Sequence, residues 1–150
     1  LGYGLLDEMG EQDRLSTTAA YLARALVAQE RFSEADEVAR VSEASASEDD
    51  LASQVISRGT RARIVARGDD SASAEGIARG AVEVSRRTDL LDIQGDALVD
   101  LADVLTVLGR TQEAAAALAE AAVLYGRKGN VVSATRALGG QRELAGAGRG

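Results

Sequence analysis

Three alanines set the architecture. Ala35, Ala74 and Ala114 each stand just inside an apolar helical stripe that follows a break, and they are 39 and 40 residues apart. A period in this range, carried by paired helical segments, is the mark of a repeat array. In such an array each unit leaves one apolar face for the next to cover.

The segments around those alanines read as helical hairpins. From about Leu91 to Leu108, Ala97, Leu98, Leu101, Ala102, Leu105 and Leu108 recur at i, i+3, i+4 spacing, with Asp96, Asp100 and Asp103 largely off the apolar stripe. Gly109 is a stop, and "RTQEA" opens a second helix with Ala114, Leu118, Ala121, Ala122 and Tyr125 inward and Thr111 placed to cap. Earlier, Leu15, Ala19, Leu22, Ala23 and Leu26 form one stripe. After a break at Glu30–Phe32, Ser33 caps a second helix carrying Ala35, Val38 and Ala39. Between these pairs, Val55, Gly59, Ala62 and Val65 precede a break at Gly68–Asp70, and Ala74, Ile77, Ala78, Ala81 and Val82 follow it.

These stripes predict hairpins over about 11–47, 48–88 and 90–127, with a capping helix over 130–146. Residues 1–10 read as the end of a preceding helix stopped at Gly10. The opening "LGYGLLDEMG" has no initiator Met, and the chain is expected to be a fragment of a larger one forming a single domain over 1–150.

Composition agrees with helices. The apolar 45% is mostly Ala, Leu and Val, aromatic residues number four and proline is absent. Small side chains and the best helix former favour closely packed helices joined by short turns. The fold class expected is all-α: an α-solenoid of antiparallel helical hairpins with a C-terminal capping helix.

The turn "GRTQEA" (Gly109–Ala114) and its parallel "ERFSEA" (Glu30–Ala35) resemble the inter-helix turn of the tetratricopeptide repeat. Leu98, Leu101, Ala102, Leu105, Leu118 and Ala121 fall where that family packs. The middle hairpin departs from the pattern: Arg58 stands where a large apolar residue is usual, and Ser73 replaces the turn Glu. The longer period, with "EDDLASQV", "RTDLLDIQGDALVDLADVL" and "LYGRKGNVVSATRA", is similar to the C-terminal helical region of large actinobacterial signalling proteins. Those carry a class III nucleotide (adenylate or guanylate) cyclase or a transcriptional-regulator domain, then an AAA-type ATPase, then tetratricopeptide-like repeats.

The resemblance implies an arm that binds a protein or peptide partner, or upstream domains of its own chain, and biases the ATPase or cyclase. Those enzymes' own motifs are absent here, so no catalytic activity is assigned. The family pattern places Arg24, Arg63, Arg67, Asp96, Val99 and Asp103 on the concave surface, as a groove basic at one end and acidic at the other. Two further readings stand beside this one: a spacer or dimerisation arm packed on its own upstream domains, and a ligand- or nucleotide-binding enzyme fragment.

The residue inventory narrows the chemistry. With no His and no Cys there is no Ser-His-Asp or Cys-His nucleophile and no imidazole or thiolate metal site. Asp49–Asp50, Asp69–Asp70, and Asp89 with Asp92 lie beside helix breaks, where carboxylates cap. "RGDDSASAEG" lacks the acid spacing of an EF-hand loop. "YGRKGN" (Tyr125–Asn130) holds two glycines around two cations but is not G-x-x-x-x-G-K-[ST], and it follows a helix rather than a strand. It reads as a helix junction, with Gly126 or Gly129 as a left-handed C-cap and Asn130 as the next N-cap.

No cofactor and no metal are expected. A net charge of −7 gives no general attraction to nucleic acid or anionic lipid, and no apolar run approaches membrane-span length. Cytoplasm is the default location, and self-association into a homo-oligomer is the remaining partner option.

Overall fold

The structure, a computed structural model, describes residues 2–47 and 49–147, with the backbone alone at 2–10, 12, 13 and 147. The described residues form an all-α protein of seven packed helices: α1 (Gly2–Ala28), α2 (Phe32–Ser45), α3 (Leu51–Ala66), α4 (Ser71–Ser85), α5 (Leu91–Val107), α6 (Thr111–Lys128) and α7 (Val131–Ala147). Each packs on its sequence neighbour, and second-neighbour packing runs α1–α3 and α3–α5. The odd-numbered helices α1, α3 and α5 therefore make a continuous row. No helix among the described residues is long and apolar enough to cross a membrane.

The core is built from small side chains. Ala35, Ala74 and Ala114 are each fully buried, as are Ala23 and Ala62, and Ala102 nearly so. In the first hairpin, hydroxyls add a reciprocal pair: Ser16 Oγ donates to the Ser42 carbonyl at 3.2 Å, and Ser42 Oγ to the Ser16 carbonyl at 2.8 Å.

Three helix ends share one geometry. After α1 the Arg31 N–H donates to the Leu26 carbonyl, after α5 the Arg110 N–H to that of Leu105, and after α6 the Asn130 N–H to that of Tyr125. The residue before each donor is left-handed: Glu30 at φ 60°, Gly109 at 79°, Gly129 at 85°. These are Schellman motifs, which satisfy the last helix carbonyls. Glycine fits that φ without strain, and Glu30 does not.

The same geometry corrects the expected caps. Thr111 is the first residue of α6 and Ser33 the second of α2, while Arg110 and Arg31 hold the N-cap positions without a side-chain cap bond. In these three-residue turns the last residue of the Schellman motif is already the N-cap of the next helix, which leaves no place for the hydroxyl. Two caps do form: Asp50 accepts from the Ser53 N–H at 3.2 Å, and Asn130 Oδ1 from the Ser133 N–H at 3.2 Å. Asp70 holds the α4 N-cap position without a side-chain bond.

Two further expectations change. Gly10 does not stop a helix, since α1 runs through it to Ala28; a glycine in ordinary helical φ weakens a helix without ending it. Leu15 and Leu22 are half exposed, whereas Leu101, the counterpart of Leu22 two units on, is buried. Leu101 sits on α5, which has the α3–α4 hairpin packed against it, whereas among the described residues α1 packs against α2 and α3.

Candidate functional site

All six residues expected on the concave surface lie on the row of odd helices, and five of them join one charged network. Arg24 of α1 donates to both Asp100 oxygens at 3.1 and 2.9 Å and lies 3.9 Å from Asp96. Arg63 of α3 donates to Asp103 at 3.0 Å and stands 3.6 Å from Asp100. Arg67, the C-cap of α3, forks onto Asp103 at 2.7 and 2.9 Å and lies over the Phe32 ring at 5.4 Å. Tyr125 of α6 donates its hydroxyl to Asp96.

The expected cations lie on α1 and at α3 and the expected anions on α5, but they are committed to one another. Arg63 and Arg67 meet Asp103 from the helix beside α5, and Arg24 reaches Asp100 across α3, so each cation stands within 4 Å of an anion. The sixth residue, Val99, is half buried against the core. It lines a cavity of about 250 Å³ with Arg24, Asp96, Leu118, Tyr125 and Arg136.

The centre of the network is a residue that the helical stripe had placed outside the core. Asp100 is 1% exposed. It fits because Gly59 lies opposite on α3: a Cβ there would stand 2.2 Å from Asp100 Oδ2. The missing methyl makes room for the carboxylate, and Arg24 reaches it across α3. Gly95 plays the matching part for Tyr125, whose ring would be 2.7 Å from an added Cβ.

Electrostatics follow from burial and pairing. Burial pushes the Asp100 carboxyl above its ordinary value, while Arg24 and Arg63 pull it back. The Asp100 charge, outweighing the cost of burial, holds Arg24 more firmly protonated than an ordinary guanidinium. At Asp103 burial is outweighed by the Arg67 hydrogen bond and by Arg63, so its carboxyl lies below the usual range. Burial, then Asp96, raises the Tyr125 hydroxyl and keeps it a donor. Three guanidinium groups thus face three carboxylates.

Sequence reasoning missed Asp100, yet a cue exists. Asp96, Asp100 and Asp103 share one face of α5 at i, i+4, i+7, and Arg24 of α1 and Arg63 of α3 are 39 residues apart at equivalent positions. No cluster of three or more potential metal ligands occurs among the described residues. At the "YGRKGN" junction Gly129 is the left-handed cap, and Arg127 and Lys128 occupy the last turn of α6.

Comparisons with protein-family models, curated proteins and solved structures find no significant match to this chain.

Proposed function

We propose that the chain is a non-catalytic interaction module: a tetratricopeptide-like α-solenoid that serves as the regulatory or sensor arm of a larger signalling ATPase or cyclase. One observation carries the reading. Positions 39 and 40 residues apart play the same part in all three hairpins: Ser16, Val55 and Gly95; Ala23, Ala62 and Ala102; Ser42, Ala81 and Ala121 are all buried. Units with equivalent cores stack side by side and present one helix of each pair along a common face. Here that face is the row α1, α3, α5. A chain without His or Cys adds weight to a binding role over a catalytic one.

Because the network neutralises itself, the uncommitted groups on this face are the contact candidates. Tyr21 is half exposed one turn before Arg24, and Arg136 stands with Val99 at the cavity beside α7 without an ion-pair partner among the described residues. An aromatic and an arginine suit the anchoring of a protein partner. The test is capture of the upstream domains of the same full-length protein by the isolated chain. Tyr21→Ser combined with Arg136→Ala should weaken capture at least tenfold, and undiminished capture would remove the groove assignment.

A second reading, a spacer or dimerisation arm, is favoured by exposed apolar side chains on the first and last helices. Leu15 and Leu22 of α1 and Val131 and Val132 of α7 are each about half exposed or more. Light scattering separates the two readings, since a strict monomer with no affinity for the upstream domains excludes the arm.

A further inference from the structure

The clefts between successive hairpins can be compared position by position, and they differ in chemistry. Where hairpin α5–α6 meets α4, a cleft of about 350 Å³ is walled by Leu98, Leu101, Ala116 and Glu120. The ion pairs Arg79–Glu113 and Arg86–Glu120, each at 3.9 Å, span it. Where hairpin α3–α4 meets α2, the corresponding cleft measures about 630 Å³. The residues 40 positions earlier are Arg58, Arg61, Gly76 and Gly80, and all four line it.

Each replacement opens the first cleft or charges it. Arg58 occupies a place that Ala19 and Leu98 fill with buried apolar side chains in the neighbouring hairpins. It makes no ion pair among the described residues. Arg61 gives one nitrogen to both Glu43 oxygens at 3.0 Å, which leaves its Nε–H buried without a partner. An added Cβ on Gly76 or Gly80 would meet nothing within 4 Å, and neither residue has positive φ. Glycine inside a helix is destabilising, and at Gly59 and Gly95 close packing explains it. At Gly76 and Gly80 the only structural result is space. Gly126, Gly139 and Gly146 are also open, but none of them lines this cleft.

Among the described residues that line the cleft, two guanidinium groups face the one carboxylate of Glu43, which leaves one positive charge at the wall. A guanidinium presents paired N–H groups that match carboxylate or phosphate oxygens, and the volume is that of a small-molecule site. We infer that the cleft between α2, α3 and α4 binds a small oxyanion-bearing ligand, its phosphate or carboxylate group held by the Arg58 and Arg61 guanidinium groups against the glycine face of α4. This site is separate from the α1–α3–α5 face and does not depend on the interaction reading.

The experiment is thermal unfolding of the chain at fixed ionic strength with inorganic phosphate, pyrophosphate or succinate, each titrated to about 10 mM. A ligand at one hundred times its Kd raises Tm by roughly 5–10 °C in a chain of this size. At least one probe should raise Tm. Phosphate or pyrophosphate alone assigns a phosphoryl ligand, and succinate alone a carboxylate. The shift should vanish in Arg58→Met, which removes the charge from an exposed side chain, and in Gly80→Leu, which fills the cleft. It should persist in Arg86→Met, which alters the other cleft. No shift with any probe overturns the site, as does a shift that survives Arg58→Met or Gly80→Leu, or one lost equally in Arg86→Met.

Discussion

Replacing Arg24 with methionine isolates the buried centre of the network. The variant keeps an unbranched side chain and removes both bonds to Asp100, whose nearest remaining cation is Arg63 at 3.6 Å. Breaking a buried pair from one side costs about 3–5 kcal/mol, and protonation of the stranded carboxylate caps that cost. Neutralising a carboxyl of ordinary pKa 3.8 at pH 7 takes 3.2 units at about 1.36 kcal/mol each, or about 4 kcal/mol. Wild-type Asp100 already lies above 3.8, so the expected loss stays below that ceiling and toward the lower end of the range for a pair broken from one side.

The pH dependence has a definite sign. A folded-state carboxyl with raised pKa binds more protons than the unfolded chain, so stability rises as pH falls toward 3.8. Without Arg24 the Asp100 pKa climbs further, and the deficit of the variant should shrink by up to about 1.4 kcal/mol per pH unit from pH 7 toward the wild-type pKa. Adding Asp100→Asn removes the titrating group and should abolish that slope. Urea unfolding of the wild type, Arg24→Met, Asp100→Asn and the double variant between pH 4 and 7 reads both quantities. A loss under about 1 kcal/mol at pH 7, or a deficit that ignores pH, would refute the idea that Arg24 supports a buried carboxylate.

The other predictions concern the backbone and the close approaches. Glu30→Gly should stabilise by roughly 0.5–1 kcal/mol by relieving the left-handed φ, and Gly109→Ala should cost about 1 kcal/mol at the equivalent turn; equal effects of one sign would contradict the Schellman assignment. Gly59→Ala should cost about 2–3 kcal/mol because the methyl displaces the Asp100 carboxylate, whereas Gly76→Ala should be neutral or stabilising by up to about 1 kcal/mol; a neutral Gly59→Ala in chemical denaturation would count against the packing. Tyr125→Phe should lose about 1 kcal/mol with the bond to Asp96, and an unchanged urea midpoint would show that water serves Asp96 as well. Below pH 3.8 the depressed pKa of Asp103 predicts stability lost as pH falls, a limb that Asp103→Asn should remove.

What could be read beforehand was whatever a local pattern determines. Helical period and breaks locate α2 to α7, because apolar spacing and the stops at Gly109 and Gly129 act within one turn. The capping residues moved by a position or two, because one Schellman motif ends a helix and begins the next, an economy that residue preferences alone do not reveal. Leu15 and Leu22 share the periodicity of Leu98 and Leu101, and only a neighbouring hairpin makes the difference in burial. The aspartates of α5 have the pattern of a solvated face; that they are an interior depends on two other helices bringing arginines and a glycine to them.

The network also answers a problem set by the composition. Faces lined by alanine are smooth, and a hairpin could slide along its neighbour by a helical turn of about 5.4 Å with little change in apolar burial. Asp100 resists that slip. Moved one turn along α3, its carboxylate would leave the gap at Gly59 and meet Val55 or Arg63 in its place, and Arg24 would lose its 2.9 Å partner. The penalty for stranding both charges exceeds anything the small core side chains could recover, so a pair of modest net stabilising value can still fix register. Arg63 and Arg67 on Asp103 repeat the lock one turn along α5. On this account the double variant Arg24→Met, Asp100→Asn should stay helical and gain heterogeneity. Its amide NMR spectrum should show extra or broadened resonances confined to α1, α3 and α5, and a single sharp set would mean that alanine packing alone specifies the register.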